Sequence, residues 1–230
     1  MKIAIMGAMP EEVAPILEKL GSYKTTEYAN NKYYEATYKG VELVIAYSKI
    51  GKVFSTLTAT TMIQHFGCDR LLFSGVAGAI SPTLKVGDLI VATKLSQHDL
   101  DITAFGHPFG FVPEGAVFIE TDSEMLTMSK QVASSMGKTV QEGIIATGDQ
   151  FVANEERKNW IGDTFKADAL EMEGASVAVV CDALDVPFFI LRAISDAADM
   201  DASFSFDEFL ETSAVESAEF VMKMVDKLID

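Results

Sequence analysis

Apolar side chains recur along the chain with two alternating spacings. Short apolar runs give way to segments in which apolar residues return every three to four positions, the period of a helix with one buried face. The runs predict strands at 2–6, 32–38, 41–47, 70–74, 88–93, 142–147, 168–172 and 187–194, and the periodic segments predict helices at 10–20, 52–66, 123–136, 154–163, 174–184 and 206–228. The last helix has the clearest stripe: Phe206, Phe209, Leu210, Ala214, Ala218, Val221, Met224, Val225 and Leu228. Ser205 is its expected N-cap, with Glu208 at capping-box spacing. Strands separated by helices imply a mostly parallel sheet covered on both faces. The pair 32–38 and 41–47, joined by Lys39-Gly40, adds an antiparallel hairpin. The expectation is an α/β fold: one α/β/α domain over residues 1–230, around a central twisted mixed sheet.

Composition narrows the partners. Hydrophobic residues make up 49% of the 230 and charged residues 23%, enough for a large core. The net charge of -16 opposes nucleic acid and anionic membrane surfaces. The arginines are Arg70, Arg157 and Arg192, few for a protein that grips phosphate groups. Met1-Lys2 runs straight into a strand-like segment, which predicts no secretory leader, no membrane span and a cytoplasmic setting. Cys68 and Cys181 sit in apolar contexts, as buried reduced thiols do. His65, His98 and His107 lack metal-ligand spacing with each other or with the cysteines, so no metal and no cofactor is expected.

Ligands of open α/β sheets bind beyond the carboxyl ends of the strands. The residues found there are "GAMPEE", "GVAG", "GDQF", "EGAS" and "SDAAD", small residues with recurrent carboxylates. Pro10 fits the first helical position, and Glu11 and Glu12 fit the dipole of that helix start. Glu12 has a second reading, since Gly7 and Ala8 clear space for it at the rim. Arg192, in an otherwise apolar strand, needs acceptors, and Glu171 is its expected partner. Along an extended chain Arg192, Ile194 and Asp196 share one side, leaving Asp196 at the rim, as a site acid or as a cap or ion-pair member. Glu173 is either a dipole-favoured helix start or a group reaching the same rim. Several carboxylates without a nucleophilic Cys–His pair suit acid–base cleavage of a glycosidic bond, with Met9, Phe151, Met172 and Phe206 available to hold a flat base or to pack the core.

"GAMPEEV", "SKIGKV", "SGVAGAI", "LKVGDLIVAT", "DLDITAFGHPFGFVP", "ATGDQF", "LEMEGASVAVVC", "VPFFILRAISDAAD" and "FSFDEFL" resemble, in the same order and over nearly the whole chain, the bacterial 5′-methylthioadenosine/S-adenosylhomocysteine nucleosidases. The resemblance implies a purine nucleoside phosphorylase-like fold, a homodimer, and no cofactor. It implies that Glu12 activates water, that Asp196, held by Ser195, protonates purine N7, and that Glu173 holds the ribose hydroxyls. It places Arg192 in support of the water and its neighbouring carboxylates. Met172 would lie beside sugar and base, Phe151 would stack on adenine, and the Val152 main chain would bond its edge. Met9, Ile50 and Phe206 would line the sugar and the 5′-substituent pocket, and Gly78 the water and ribose side. Ile102, Phe105, His107 and Pro113 would form a 102–113 loop that enters the partner subunit's site. Two positions depart from familiar members: Val76 stands in place of serine and His107 in place of a tyrosine found in some. The segment "QHDLDITAFGHPFGFVPE" is most similar to the branch that also cleaves 6-amino-6-deoxyfutalosine in menaquinone synthesis. The implied small-molecule substrates are adenine nucleosides: 5′-methylthioadenosine, S-adenosylhomocysteine, 5′-deoxyadenosine and aminodeoxyfutalosine, linking the chain to methionine salvage and S-adenosylhomocysteine recycling. The alternatives are a phosphate-dependent purine nucleoside phosphorylase and a non-catalytic purine-binding sensor.

Overall fold

The computed structural model describes residues 1–198 and 202–229, with side chains of the last helix described from Phe209 onward. In chain order the elements are β1 (Lys2–Gly7), α1 (Pro10–Leu20), β2 (Lys24–Tyr28), β3 (Asn31–Tyr38), β4 (Val41–Tyr47), α2 (Lys52–Gln64), β5 (Arg70–Ala79) and β6 (Leu89–Gln97). A 3-10 turn (Thr103–Phe105), β7 (Ile119–Glu120), α3 (Ser123–Ser135), β8 (Val140–Thr147), α4 (Glu155–Phe165), β9 (Ala169–Glu171), α5 (Gly174–Ala183), β10 (Phe188–Asp196) and α6 (Ala202–Ile229) follow.

All the strands join one mixed sheet, ordered β10-β6-β8-β9-β5-β1-β4-β3-β2, with β7 beside β6. β10 also pairs with β5, so β5, β10, β6, β8 and β9 close on themselves as a small barrel, and β1–β4–β3–β2 extends from it. The expected twisted mixed sheet is thus present, closed over part of its width. The β3–β4 hairpin is antiparallel as expected, and its turn residues Lys39 (φ 48°) and Gly40 (φ 84°) both have positive φ, the twist that a two-residue hairpin requires.

Alternation along the central strands sorts the core onto two faces. Ala4 and Met6 of β1 join α2 and α5 in one cluster, through Ala59, Met62, Val177 and Cys181. Ile3 and Ile5 join α1, α3 and α6 in the other, through Val13, Ile16, Val132, Val221 and Val225. A smaller cluster under α4 packs Ile161 and Phe165 on Ala146, Val152 and Leu170. Removing a buried leucine-sized side chain from such a core costs about 2–5 kcal/mol.

Two expectations for α6 need correction. The helix already contains Ser205, which therefore cannot be its N-cap. Ala214, Ala218, Val221, Met224 and Val225 of the predicted stripe are buried, but Phe209 is 36% exposed and Phe220 and Met222 are fully buried as well, so the buried face is broader than the stripe. The side chains of Phe206 and Glu208 lie outside the described residues. Among the described residues no helix is long and apolar enough to cross a membrane.

Candidate active site

The strand ends meet around one cavity of about 570 Å³, its open mouth included, lined by residues that follow or end β1, β5, β8, β9 and β10. Of the residues expected at the site, Met9, Glu12, Ile50, Val76, Gly78, Phe151, Val152, Met172, Glu173, Ser195 and Asp196 all line it. Ala8, Ala77, Gln150, Leu170 and Glu171 line it as well. Glu12, Glu173 and Asp196 are 1%, 6% and 4% exposed and Glu171 is 5% exposed, so four carboxylates are withdrawn from water at one place. Phe151 and Ile50 are about half exposed at the mouth. Arg192 lies behind the cavity wall and does not line it.

Both readings of Glu12 hold at once. Pro10 opens α1, Glu11 is exposed, and the Glu12 carboxylate turns back over the helix start. Its Oε2 accepts from the main-chain N–H of Ala8 (2.5 Å) and Met9 (3.0 Å), while Oε1 accepts from Val76 N–H at 3.1 Å. Gly7 and Gly75 make the room. A Cβ on Gly7 would stand 2.9 Å from the Glu12 Cβ, and one on Gly75 would stand 2.7 Å from Oε1. Burial pushes the Glu12 carboxyl above its ordinary value, against the opposing pull of Arg192 and the three N–H groups.

β10 delivers two further groups. Between Ile194 and Asp196 it gains one residue on β5, so strict alternation does not carry from Arg192 to Asp196 as the extended-chain reading assumed. This bulge sits at the cavity, a common place for a strand to re-aim a side chain. Ser195 Oγ donates to Asp196 Oδ2 at 2.9 Å, and Ala198 N–H donates to Oδ1 at 2.8 Å. A Cβ on Gly78 would fall 2.8 Å from that Oδ1, which explains a glycine opposite the aspartate.

The two glutamates of "LEMEG" divide as expected, Glu171 ending β9 and Glu173 lying at the strand-to-helix turn. Glu171 Oε2 accepts from Arg192 Nη2 at 2.7 Å and from the N–H groups of Glu173 and Gly174, and Thr147 donates to Oε1. Glu173 stands at the start of α5, and its Oε1 accepts from Gly51 N–H at 2.8 Å. Burial, then the neighbouring Glu171 charge, push the Glu173 carboxyl upward. Nothing in the local sequence marks Gly51 as that anchor, which is 122 positions away.

The remaining expected residues lie elsewhere. Ile102, Phe105, His107 and Pro113 stand on the loop after β6 and do not line this cavity. Phe105 is 82% exposed, and His107 stacks on Phe111 with centroids 4.6 Å apart. Cys68 and Cys181 are buried, with thiols pushed up to about 12 by burial. Among the described residues no group of three or more His, Cys, Asp or Glu is arranged to hold a metal ion.

Comparison with known proteins agrees with this geometry. The family model described as the phosphorylase superfamily matches residues 2–229. The chain is 59% identical over 228 residues to the aminodeoxyfutalosine nucleosidase of Campylobacter jejuni, covering 99% of this chain and 100% of that protein. It is 37% identical over 230 residues to the 5′-methylthioadenosine/S-adenosylhomocysteine nucleosidase of Anoxybacillus flavithermus, covering 99% of each. Among solved structures, a Helicobacter pylori nucleosidase variant with 5′-methylthioadenosine in its active site superposes with a TM-score of 0.97 at 52% identity, over 98% of both chains. With a match that runs from β1 to α6 and a fold shared throughout, the chain belongs to the phosphorylase superfamily, among its bacterial adenine-nucleoside nucleosidases.

Proposed function

We propose that the chain hydrolyses the N-glycosidic bond of 5′-substituted adenine nucleosides, releasing adenine and the 5-substituted ribose. The observation that carries the reading is the meeting in one cavity of three buried carboxylates, Glu12, Glu173 and Asp196, beside a fourth, Glu171, that is paired with Arg192. Asp196, positioned by Ser195 and the Ala198 N–H, gives a proton to purine N7 as the bond from C1′ to N9 breaks. The electron pair leaves with neutral adenine, and the sugar becomes a ribosyl cation. Glu12 takes a proton from water as its oxygen bonds to C1′. Glu173 accepts the ribose hydroxyls and offsets the cation's charge. Phe151 and Met172 flank base and sugar, and Val152 offers main-chain groups to the adenine edge.

Water rather than phosphate is the acceptor on this reading. Among the described residues no Lys, Arg or His lines the cavity, and the start of α1 is already occupied by the Glu12 carboxylate. An incoming phosphate would meet acids with no basic partner. Glu12 would repel it directly.

A homodimer completes the proposal. Phe105 on the 102–113 loop and Val53, Phe54 and Leu57 on α2 leave large apolar side chains exposed. A second subunit would cover them, with each loop closing the other's site. Methylthioadenosine, S-adenosylhomocysteine and aminodeoxyfutalosine, the molecules named in its relatives, are the proposed substrates, and the setting is the cytoplasm. The deciding experiment is incubation with methylthioadenosine in phosphate-free buffer, followed by mass spectrometry. Free adenine and methylthioribose are expected. A strict need for phosphate would make the chain a phosphorylase, and recovery of intact ligand would make it a sensor.

A further inference from the structure

Behind the base side of the cavity, three polar side chains from separate elements form a closed ring. Asp99, just past β6, accepts with Oδ1 from Lys52 Nζ at 2.6 Å and with Oδ2 from Asp149 N–H at 2.8 Å. Asp149 in turn accepts with Oδ1 from Lys52 N–H at 2.7 Å, at the start of α2. Lys52 Nζ also donates to Gln97 at 3.2 Å. The Lys52 and Asp99 side chains are only 19% and 16% exposed, and Lys52 is the main influence holding the Asp99 carboxyl below its ordinary value against burial.

The ring matters because of what its corners adjoin. Asp149 immediately precedes Gln150, Phe151 and Val152, the wall assigned to adenine. Lys52 immediately follows Gly51, whose N–H holds Glu173, and Ile50 at the mouth. Asp99 stands at the root of the segment that carries Ile102 and Phe105. The fit is tight, since a Cβ on Gly51 would come within 3.0 Å of Asp149 Oδ1 and that glycine has φ 98°. Two successive N–H groups at the α2 start thus receive two carboxylates, one facing the ligand and one fixing the base wall.

We propose that Asp99 is a positioning residue for purine recognition, locking the 149–152 segment to the start of α2 through Lys52 and Asp149 without touching the substrate. The inference rests on the nucleosidase reading of the same cavity. Asparagine at 99 keeps an acceptor for Lys52 but turns an NH₂ group toward the Asp149 N–H, so the link to the base wall breaks. Asparagine at 149 still accepts from Lys52 N–H, and its own N–H still reaches Asp99. The two substitutions therefore separate a specific link from a general loss of charge.

The test compares wild type, Asp99→Asn, Asp149→Asn and Lys52→Met by KM and kcat on methylthioadenosine and by calorimetric Kd for free adenine. Asp99→Asn should raise KM and the adenine Kd together by about tenfold, the loss expected when a charge-assisted hydrogen bond is removed, with kcat changed by less than about threefold. Asp149→Asn, which weakens but keeps its bond from Lys52 N–H, should raise both by clearly less than Asp99→Asn. Lys52→Met, which leaves the Asp99 to Asp149 link in place, should shift KM in the same direction by less than Asp99→Asn and tests the ring even if Asp99→Asn does not fold. An unchanged KM in Asp99→Asn or in Lys52→Met, equal effects of both asparagine variants, or a loss confined to kcat would overturn the proposal. Wild type that neither binds adenine nor cleaves the nucleoside would instead overturn the functional reading.

Discussion

Arg192 and Glu171 meet at 2.7 Å with side chains 1% and 2% exposed, and the guanidinium carbon stands 4.1 Å from the centre of the Phe73 ring. An ion pair this deep depends on both partners. Arg192→Met should lower the unfolding free energy by about 3–5 kcal/mol, because it leaves the Glu171 charge unpaired. The double change Arg192→Met with Glu171→Gln should recover a large part of that loss, as urea unfolding would show. Arg192 also lowers the Glu12 pKa, so in the single variant the acidic limb of the pH–rate profile should move to higher pH.

Asp196→Asn separates binding from chemistry. An asparagine can keep the bond from Ala198 N–H and stay beside Ser195, so the fold and the cavity should persist. It has no carboxylic proton to give N7. Adenine release should fall by about 10²–10⁴-fold, while the Kd for the nucleoside changes little. Near-normal turnover would take Asp196 out of the reaction.

Gly75→Ala probes the site without altering a charged group. The new methyl would sit 2.7 Å from Glu12 Oε1, whose carboxylate is held by three N–H groups. Either the carboxylate swings away or the strand moves, and the cost should be about 1–3 kcal/mol of stability. Activity should fall about as far as in Glu12→Gln, by about 10²-fold or more. In the Glu12→Gln background the alanine should cost little further activity, which a double-mutant cycle measures directly. Additive losses would mean that Gly75 acts on something other than Glu12.

What could be read from the chain follows from where its apolar residues lie. α1 matches its predicted span at both ends, since Pro10 starts it and Val13 and Ile16 repeat at buried positions. β2 escaped because KTTEY is an edge strand with mostly exposed side chains, which leaves no alternation to detect. β5 was read as ending at Ser74 but runs to Ala79, because GVAGA is too small and glycine-rich to look like a strand. Those small residues are the ones that make room for Glu12 and Asp196. The acids at the strand ends were therefore visible, and so was the pairing of Glu171 with Arg192. Gly51, Lys52, Asp99 and Asp149 gave no such signal, since their partners lie 45 to 122 positions away and only the folded sheet brings them together.

The buried acids also set a direction for stability against pH. Burial raises the carboxyls of Glu12 and Glu173 above their ordinary value of 4.5. From that value upward the folded chain keeps protons that the unfolded chain has released, so these two groups make stability fall as pH rises until the folded forms ionise. Carboxyls with lowered pKa, such as Asp99 and Asp69, act in the opposite sense, contributing stability that is lost as pH falls through their values below 3.8. Above about pH 4.5 the raised pair sets the direction of the difference between variants. Glu12→Gln removes one member, so its unfolding free energy relative to wild type should improve as pH rises from about 4.5 until folded Glu12 ionises. Urea titrations at several pH values would measure it. A gap that stays constant or moves the other way would mean that Glu12 ionises in the fold as readily as in water, and that its place in the cavity costs nothing.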